Sequence, residues 1–174
     1  SYPLVAHTPC LRARSWLSSS ACVRWCQEAR ISNFFAWRLG FAGLEFIDAA
    51  MRELYVTGTM HNRGRMIVAS YLTKHLMTHW RLGQAWFEDC LIDWDPASNA
   101  MGWQWAAGSG PDAAPYFRVF NPETQIEQFD ADRRYRTMWI TEGPANPPAR
   151  ALQYFDALPS PWSLSARSAY PAPT

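Results

Sequence analysis

Apolar residues recur at intervals of three and four from Phe46 to Trp80, and this spacing restricts the fold more than any other feature. In "LEFIDAAMRELYVTG" the residues at helical spacing are Phe46, Ile47, Ala50, Met51 and Leu54. Gly58 follows them as a C-terminal stop. The next segment, "MHNRGRMIVASYLTKHLMTHWR", continues the pattern and predicts one long buried helix that ends near Gly83. No alternation of apolar and polar residues is long enough to predict a sheet, so we expect an all-α fold.

Further helices and irregular segments are predicted around these two. The segment "QAWFEDCLI" predicts another helix, and Asp95 followed by Pro96 is typical of the N-cap and first residue of the next one. Short helices are expected at residues 21–30 and 134–140, with turns after Gly108. Residues 1–33 are otherwise expected to be irregular. Residues 143–174 contain seven prolines and are expected to form an extended tail.

Charge is distributed unevenly along the chain. The net charge of +1 does not indicate a nucleic-acid-binding protein, and 174 residues with 48% hydrophobic content suffice for one compact domain. Residues 50–82, however, hold five basic residues and one acid, whereas "WFEDCLIDWDP" holds four acids and no base. This arrangement predicts internal ion pairs together with a residual basic surface.

Other residue types narrow the chemistry. Ten tryptophans suit either a packed core or stacking on a planar ligand. The four cysteines show no CxxC spacing, so we interpret them as reduced thiols of a cytoplasmic protein. His75 and His79 have the spacing of zinc ligands on a helix but lack a zincin glutamate and a third ligand, so no metal site is expected. No segment predicts a membrane span or a signal peptide.

One helical face combines polar and aromatic groups. Asp95, Asn99 and Trp103 follow one another at intervals of one turn, so a carboxylate, an amide and an indole share that face. Such a strip is able to hydrogen-bond the edge of a heterocyclic ring. The simpler interpretation is that Asp95 caps the helix and that Trp80 and Trp103 belong to the core. The residue pattern alone leaves both interpretations open.

Four segments resemble, in order, successive parts of the flavin-binding domain of the photolyase/cryptochrome family. They are "FAWRLGFAGLEFIDAAMREL", "TGTMHNRGRMIVASYLTKHLMTHWR", "LIDWDPASNAMGWQWAAGSGPDAAPYFRVFNPETQ" and "FDADRRYRTMW". The resemblance implies that residues 34–142 form part of a helical domain that encloses FAD. It also implies light-driven electron transfer from reduced flavin to a cyclobutane pyrimidine dimer flipped out of DNA.

The resemblance further implies roles for individual residues. The residues expected to contact flavin are Asn62, Arg65, Phe87, Asp93, Trp94, Asp95 and Asn99. The residues expected to line the lesion pocket or contact DNA are Asn62, Arg63, Met66, Trp105 and Gln125. Arg65 and Asp93 match a salt-bridged pair beside the ring, and Asn99 matches an amide that tunes its protonation. Trp80 and Trp103 match the middle and flavin-proximal members of a tryptophan relay that returns electrons to the flavin.

Some parts of the family pattern are not matched. The antenna domain and an earlier segment that grips the FAD phosphates have no counterpart, Thr59 stands where most members have Trp, and Glu45 stands where Pro is usual. We therefore expect a truncated, monomeric deoxyribodipyrimidine photo-lyase whose activity is weakened by lost phosphate contacts and whose partner is damaged DNA. Two alternatives stay open: a cryptochrome-like photosensor, and an inactive fragment that keeps only a DNA-facing surface.

Overall fold

The structure is a computed structural model that describes residues 32–110, 119–142 and 147–160, together with residues 164 and 170. Its helices are α1 (residues 32–38), α2 (Glu45–Thr57), α3 (Asn62–Ser70), α4 (Trp80–Cys90), α5 (Pro96–Ala107), α6 (Pro122–Phe129), α7 (Arg134–Trp139) and α8 (Ala149–Ala157). No strand occurs in these ranges, so the predicted all-α fold is confirmed. The short helix expected at residues 21–30 lies outside the described residues, as does nearly all of the segment 1–33.

Helix α2 lies at the centre of the fold because it is buried along most of its surface. It packs against α3, α7 and α8 and contributes Ile47, Met51 and Leu54, each fully buried, to the main core. The helix ends at Gly58 as predicted, where φ is +69° and the backbone N–H donates to Leu54 O. A Cβ atom at Gly58 would also lie 2.6 Å from Cγ2 of Ile92. Glycine is therefore required there by both the backbone conformation and the packing.

The prediction of one long helix over residues 60–82 is wrong. Helix α3 ends at Ser70 and continues as a π-helical turn, Tyr71–His75, after which the chain leaves the helix until α4 begins at Trp80. Met77, within this break, has a left-handed φ of +48°. Gly83, predicted to end the long helix, lies inside α4 instead.

Contacts with α5 explain the break. The Lys74 ammonium group donates to Ala107 O at 3.1 Å and so satisfies a carbonyl at the C-terminal end of α5. The Thr73 hydroxyl lies 3.4 Å from Ala106 O, although its shorter bond is to Ala69 O in α3 at 2.8 Å. The chain then restarts as α4, whose first turn is capped when His79 Nδ1 accepts from the Arg81 N–H at 3.2 Å. Neither contact could be inferred from the apolar period alone.

The tail is not wholly extended as predicted, because residues 149–157 form helix α8. Ala151 and Tyr154, three residues apart, are both buried, and the Tyr154 hydroxyl donates to Leu39 O. Tyr154 also packs its ring edge-on against that of Tyr55 on α2, with centroids 6.0 Å apart. The prolines at 147 and 148 precede the helix, where proline is tolerated.

Ion pairs attach the short helix α7, which was predicted at residues 134–140, to the start of α2. The carboxylate of Glu45 accepts from Arg133 Nη2 at 2.7 Å and from Arg136 Nη1 at 3.1 Å. Asp130 accepts from Arg136 Nε at 2.8 Å on the buried side of the same cluster. Glu45, which stands where the family that the sequence resembles usually has Pro, thus has structural partners in this chain.

Asp48 is a fully buried carboxylate beneath the turn between α1 and α2. It accepts from the backbone N–H groups of Ala42 and Gly43, at 2.7 and 3.0 Å, and from the Tyr170 hydroxyl at 2.6 Å. Burial nevertheless outweighs these bonds and raises the pKa of Asp48 from 3.8 to about 6. The folded chain therefore holds a proton on Asp48 more tightly than the unfolded chain does.

This shift predicts a pH dependence of stability. Because the pKa is raised on folding, the contribution of Asp48 is most favourable below pH 3.8 and is lost as the pH rises through about 6. The loss at neutral pH is about 3 kcal/mol in the free energy of unfolding. Measured by urea unfolding between pH 4 and 7, the free energy of unfolding of the parent chain should fall with rising pH relative to that of Asp48→Asn. An identical slope in both chains would contradict the assignment to Asp48.

Candidate functional site

Helices α3, α4 and α5, with the loop between α4 and α5, enclose a cavity of about 330 Å³. Small-molecule sites typically measure about 300–1,000 Å³, so this volume is at the lower end of that range. The apolar side chains that line it are Met66, Ala69, Phe87, Leu91, Trp94, Trp103, Trp105 and Ala106. The polar side chains are Asn62, Arg65, Asp93, Asp95, Ser98 and Asn99, and Gly102 completes the wall.

An ion pair stands at one edge of the cavity. Arg65 Nη2 donates to both carboxylate oxygens of Asp93, at 2.7 and 3.0 Å, and joins α3 to the loop before α5. Arg65 Nε donates to Met60 O at 2.8 Å, which fixes the direction of the guanidinium. The Arg65 side chain is 27% exposed and that of Asp93 is 56% exposed, so the pair remains open to the cavity and to solvent.

The polar strip predicted on α5 is held by backbone contacts. Asp95 is the N-cap of α5 and accepts from the Ser98 N–H at 2.7 Å, and this bond lowers the pKa of Asp95 below its ordinary value. One turn later, Asn99 Nδ2 donates to Gln84 O on α4 at 3.1 Å. The amide of Asn99 is therefore oriented, and its Oδ1 has no hydrogen-bond partner among the described residues. Asp95 serves both as a cap and as part of the cavity wall.

Aromatic rings form another part of the wall. Trp103 is 2% exposed and meets the ring of Phe87 edge-on, with centroids 5.0 Å apart. Behind it lies Trp37, which meets Trp103 edge-on at 6.1 Å and donates from Nε1 to Val68 O at 3.1 Å. Trp94 and Trp105 also line the cavity and are less buried than Trp103.

Ten of the residues that were expected to contact flavin or DNA, or to relay electrons, line this single cavity. They are Asn62, Arg65, Met66, Phe87, Asp93, Trp94, Asp95, Asn99, Trp103 and Trp105. The structure does not bring the other three, Trp80, Arg63 and Gln125, into the lining. Their functional roles stay predictions.

Each of the three outlying residues has a defined environment. Trp80 is half-buried, with its ring 5.6 Å from that of His79 and the Arg81 guanidinium 5.4 Å from its centroid. The guanidinium of Arg63, a residue expected to line the lesion pocket or contact DNA, lies over the ring of Phe129 on α6, 4.9 Å from its centroid. Gln125 lies half-buried on α6.

Sequence analysis missed several lining residues, of which Ala69, Ser98 and Gly102 could have been found. Each lies three residues from a residue that was named: Met66, Asp95 and Asn99, respectively. Helical periodicity, extended from the named residues, was the available signal. Leu91 and Ala106 were also missed.

The residues present fit the ring of FAD. A planar ring could lie against the apolar wall while the Arg65–Asp93 pair and the Asn99 amide meet its polar edge. The fit to the phosphates is different. Among the described residues that line the cavity, Arg65 is the one cation, and Asp93 already pairs with it. The described lining therefore suits the heterocycle and supplies no further cation for the diphosphate.

The Cys90 thiol and the His75 imidazole, both outside the cavity, pack against neighbouring side chains. Cys90 is a free, half-buried thiol, and burial raises its pKa to about 12, which disfavours the reactive thiolate. His75 stacks on the ring of Tyr71, with centroids 5.2 Å apart. The described part of the chain contains no helix that is both long and apolar enough to cross a bilayer.

Comparison with known proteins adds independent information. The chain is 50% identical over 141 residues to the deoxyribodipyrimidine photo-lyase of Agrobacterium fabrum, which covers 81% of this chain and 29% of that protein. It is 46% identical over 140 residues to that of Escherichia coli, covering 80% and 29%. The chain thus spans less than a third of the length of these curated relatives.

Solved structures give the same result for the fold. A bacterial class III photolyase from Agrobacterium tumefaciens matches with a TM-score of 0.65 and 46% identity, covering 81% of this chain and 30% of that one. A cryptochrome from Synechocystis matches with a TM-score of 0.65 and 41% identity, covering 82% and 30%. The model of one family, described as the FAD binding domain of DNA photolyase, matches residues 1–174. The resemblance noted in the sequence is confirmed, and the chain belongs to the family of photolyase FAD-binding domains.

Proposed function

We propose that the chain binds FAD with its isoalloxazine ring in the cavity and takes part in light-driven repair of cyclobutane pyrimidine dimers in DNA. The observation that carries this proposal is the convergence of Arg65, Asp93, Asn99 and Trp103 on one cavity. Membership of the photolyase family agrees with it. When bound, FAD supplies a ring that absorbs blue light and gives up an electron.

The chain's own residues would bind and tune that ring. Arg65 offers a positive charge that offsets the negative charge of a reduced ring, and Asp93 and Met60 O hold the guanidinium in place. Asn99, fixed through its Nδ2, would present Oδ1 to a ring N–H. Asp95 and Trp94 would contact the same edge of the ring, while Phe87 and Trp103 would exclude water from its face.

We assign Trp103 and Trp80 to electron transfer. Trp103 is the buried indole in the cavity wall and would be nearest to the ring, whereas Trp80 is half-buried at the start of α4. Gly83, in contact with the Trp103 indole, lies three residues after Trp80 on the same helix. Trp80 would therefore be the next donor toward the surface.

The DNA would approach the mouth of the cavity. Asn62, Met66 and Trp105 line the cavity. Arg63 on α3 and Gln125 on α6 would extend the surface that contacts DNA. Positive charge in residues 50–82 would favour the phosphate backbone. We further propose that the protein acts as a cytoplasmic monomer, with any antenna domain supplied by a longer chain.

Absorbance spectroscopy tests the first part of the proposal. Purified chain that has been mixed with FAD and passed through a desalting column is expected to keep the flavin absorbance band in the blue. Heat denaturation should then release the FAD. A chain that elutes without flavin after incubation with excess FAD would refute the cofactor assignment.

Repair is tested on DNA. The flavin-loaded, reduced chain is expected to remove dimers from ultraviolet-irradiated single-stranded oligonucleotides under blue light but not in the dark. The similarity to the Synechocystis cryptochrome supports a second candidate, a flavin photosensor. A chain that binds flavin but does not remove dimers would favour the photosensor. A chain that binds DNA but not flavin would favour an inactive fragment that keeps only a DNA-facing surface.

A further inference from the structure

Gly83 makes an unusually close approach to Trp103. A Cβ atom built on Gly83 would lie 2.1 Å from Cη2, 2.4 Å from Cζ3 and 2.7 Å from Cζ2 of the Trp103 indole. These three atoms belong to the far, six-membered ring of the indole. Glycine in the interior of a helix such as α4 is less favourable than alanine, so its presence needs a reason. The close packing of the indole against the α4 backbone supplies that reason.

The indole is also enclosed on other sides. Phe87, one turn after Gly83 on α4, meets it edge-on, with ring centroids 5.0 Å apart. Trp37 is fully buried, meets it at 6.1 Å, and is fixed by its own bond to Val68 O. The remaining side faces the cavity, which Trp103 helps to line. An indole displaced from α4 would therefore move toward the cavity.

We propose that Gly83 is a positioning residue of the site: it lets the Trp103 indole pack against α4 and so keeps the cavity deep enough for a planar ring. The inference rests on the proposed flavin site for its functional meaning, although the contact itself exists without a ligand. Any side chain at position 83 would drive the indole into the space that the ring requires, since protein interiors have little spare volume.

The direct test is Gly83→Ala in the full chain. We expect the Kd for FAD to rise about tenfold or more, because a displaced indole would occupy part of the space that the flavin ring needs. The matched control is Gly64→Ala on α3, which lies outside the cavity lining. Its Cβ atom would lie 3.1 Å from Cγ of the buried Met60, a contact that a shift of a few tenths of an ångström relieves and that no atom of the Trp103 indole shares, so the Kd should stay close to that of the parent chain.

A double-mutant cycle separates positioning from general damage. In the Trp103→Phe background the far ring is missing, so Gly83→Ala should weaken FAD binding little further. If Gly83→Ala does not fold alone, the double variant should fold, because the phenyl ring leaves the required space free. The proposal would be overturned if Gly83→Ala lowered FAD affinity equally in the parent and Trp103→Phe backgrounds. A double variant that also fails to fold would overturn it as well.

A readout without flavin distinguishes this inference from the proposed function. In ¹H–¹⁵N NMR spectra of the ligand-free chain, the Nε1–H resonance of Trp103 should shift in Gly83→Ala and not in Gly64→Ala. If the parent chain does not bind FAD, the proposed function is refuted. The Trp103 resonance would still show whether Gly83 determines the position of the indole. An unshifted resonance, together with unchanged FAD affinity, would refute the role of Gly83.

Discussion

Replacement of Arg52 by alanine is expected to lower the free energy of unfolding by about 3–5 kcal/mol, because it leaves a buried carboxylate without its cation. Arg52 is fully buried in α2 and donates to both oxygens of Glu142, at 2.9 and 3.0 Å, where the Glu142 side chain is only 4% exposed. It also donates to Gly40 O and Trp139 O. Urea unfolding at pH 7 measures the change.

Arg133→Ala is the control for the loss of an arginine. Arg133 makes a shorter pair with Glu45, at 2.7 Å, but its side chain is 61% exposed. An exposed pair is worth about 1 kcal/mol or less. If Arg133→Ala and Arg52→Ala destabilised the chain equally, burial would not be the source of the effect at Arg52.

Replacement of Arg65 by alanine is expected to raise the Kd for FAD by about one to two orders of magnitude, the size of a lost charge-assisted hydrogen bond. The variant removes the cation at the cavity edge and leaves Asp93 unpaired beside the proposed ring. Fluorescence titration with FAD measures the affinity. Circular dichroism should confirm that the helices are retained, because Arg65 also bonds Met60 O.

Arg134→Ala controls for net charge in this second experiment. Arg134 is 87% exposed, pairs with Asp132 and does not line the cavity. Its removal should leave FAD affinity unchanged. If Arg65→Ala bound FAD as tightly as Arg134→Ala does, the Arg65–Asp93 pair would have no role in FAD binding.

Much of the local structure could be predicted from residue patterns. The stop of α2 at Gly58 and the start of α5 at Asp95 and Pro96 depend on neighbours in the sequence, so local signals sufficed. The break between α3 and α4 could not be predicted because Lys74 is bound to the end of α5, a contact between distant segments. Helix α8 was missed for a similar reason, since Tyr154 is buried against α2 and the end of α1.

In the candidate site, too, some features followed from local sequence patterns and others did not. Spacing alone placed Asp95, Asn99 and Trp103 on one face of α5, and these residues do line one cavity. The pairing of Arg65 with Asp93 came from the family resemblance, because 28 residues separate the two and no local pattern joins them. Gly83 was predicted as a helix end, since its contact with Trp103 exists only after α4 and α5 pack together.

The buried charges of α2 also affect how the chain is made. Arg52 finds its carboxylate 90 residues later at Glu142, and Asp48 finds the Tyr170 hydroxyl 122 residues later. A ribosome synthesises about 5–20 residues per second, so α2 emerges well before either partner exists. Until then Asp48 and Arg52, which lie one turn apart on α2, lack these two partners. We expect its central packing to be completed only after residues 142 and 170 have left the exit tunnel.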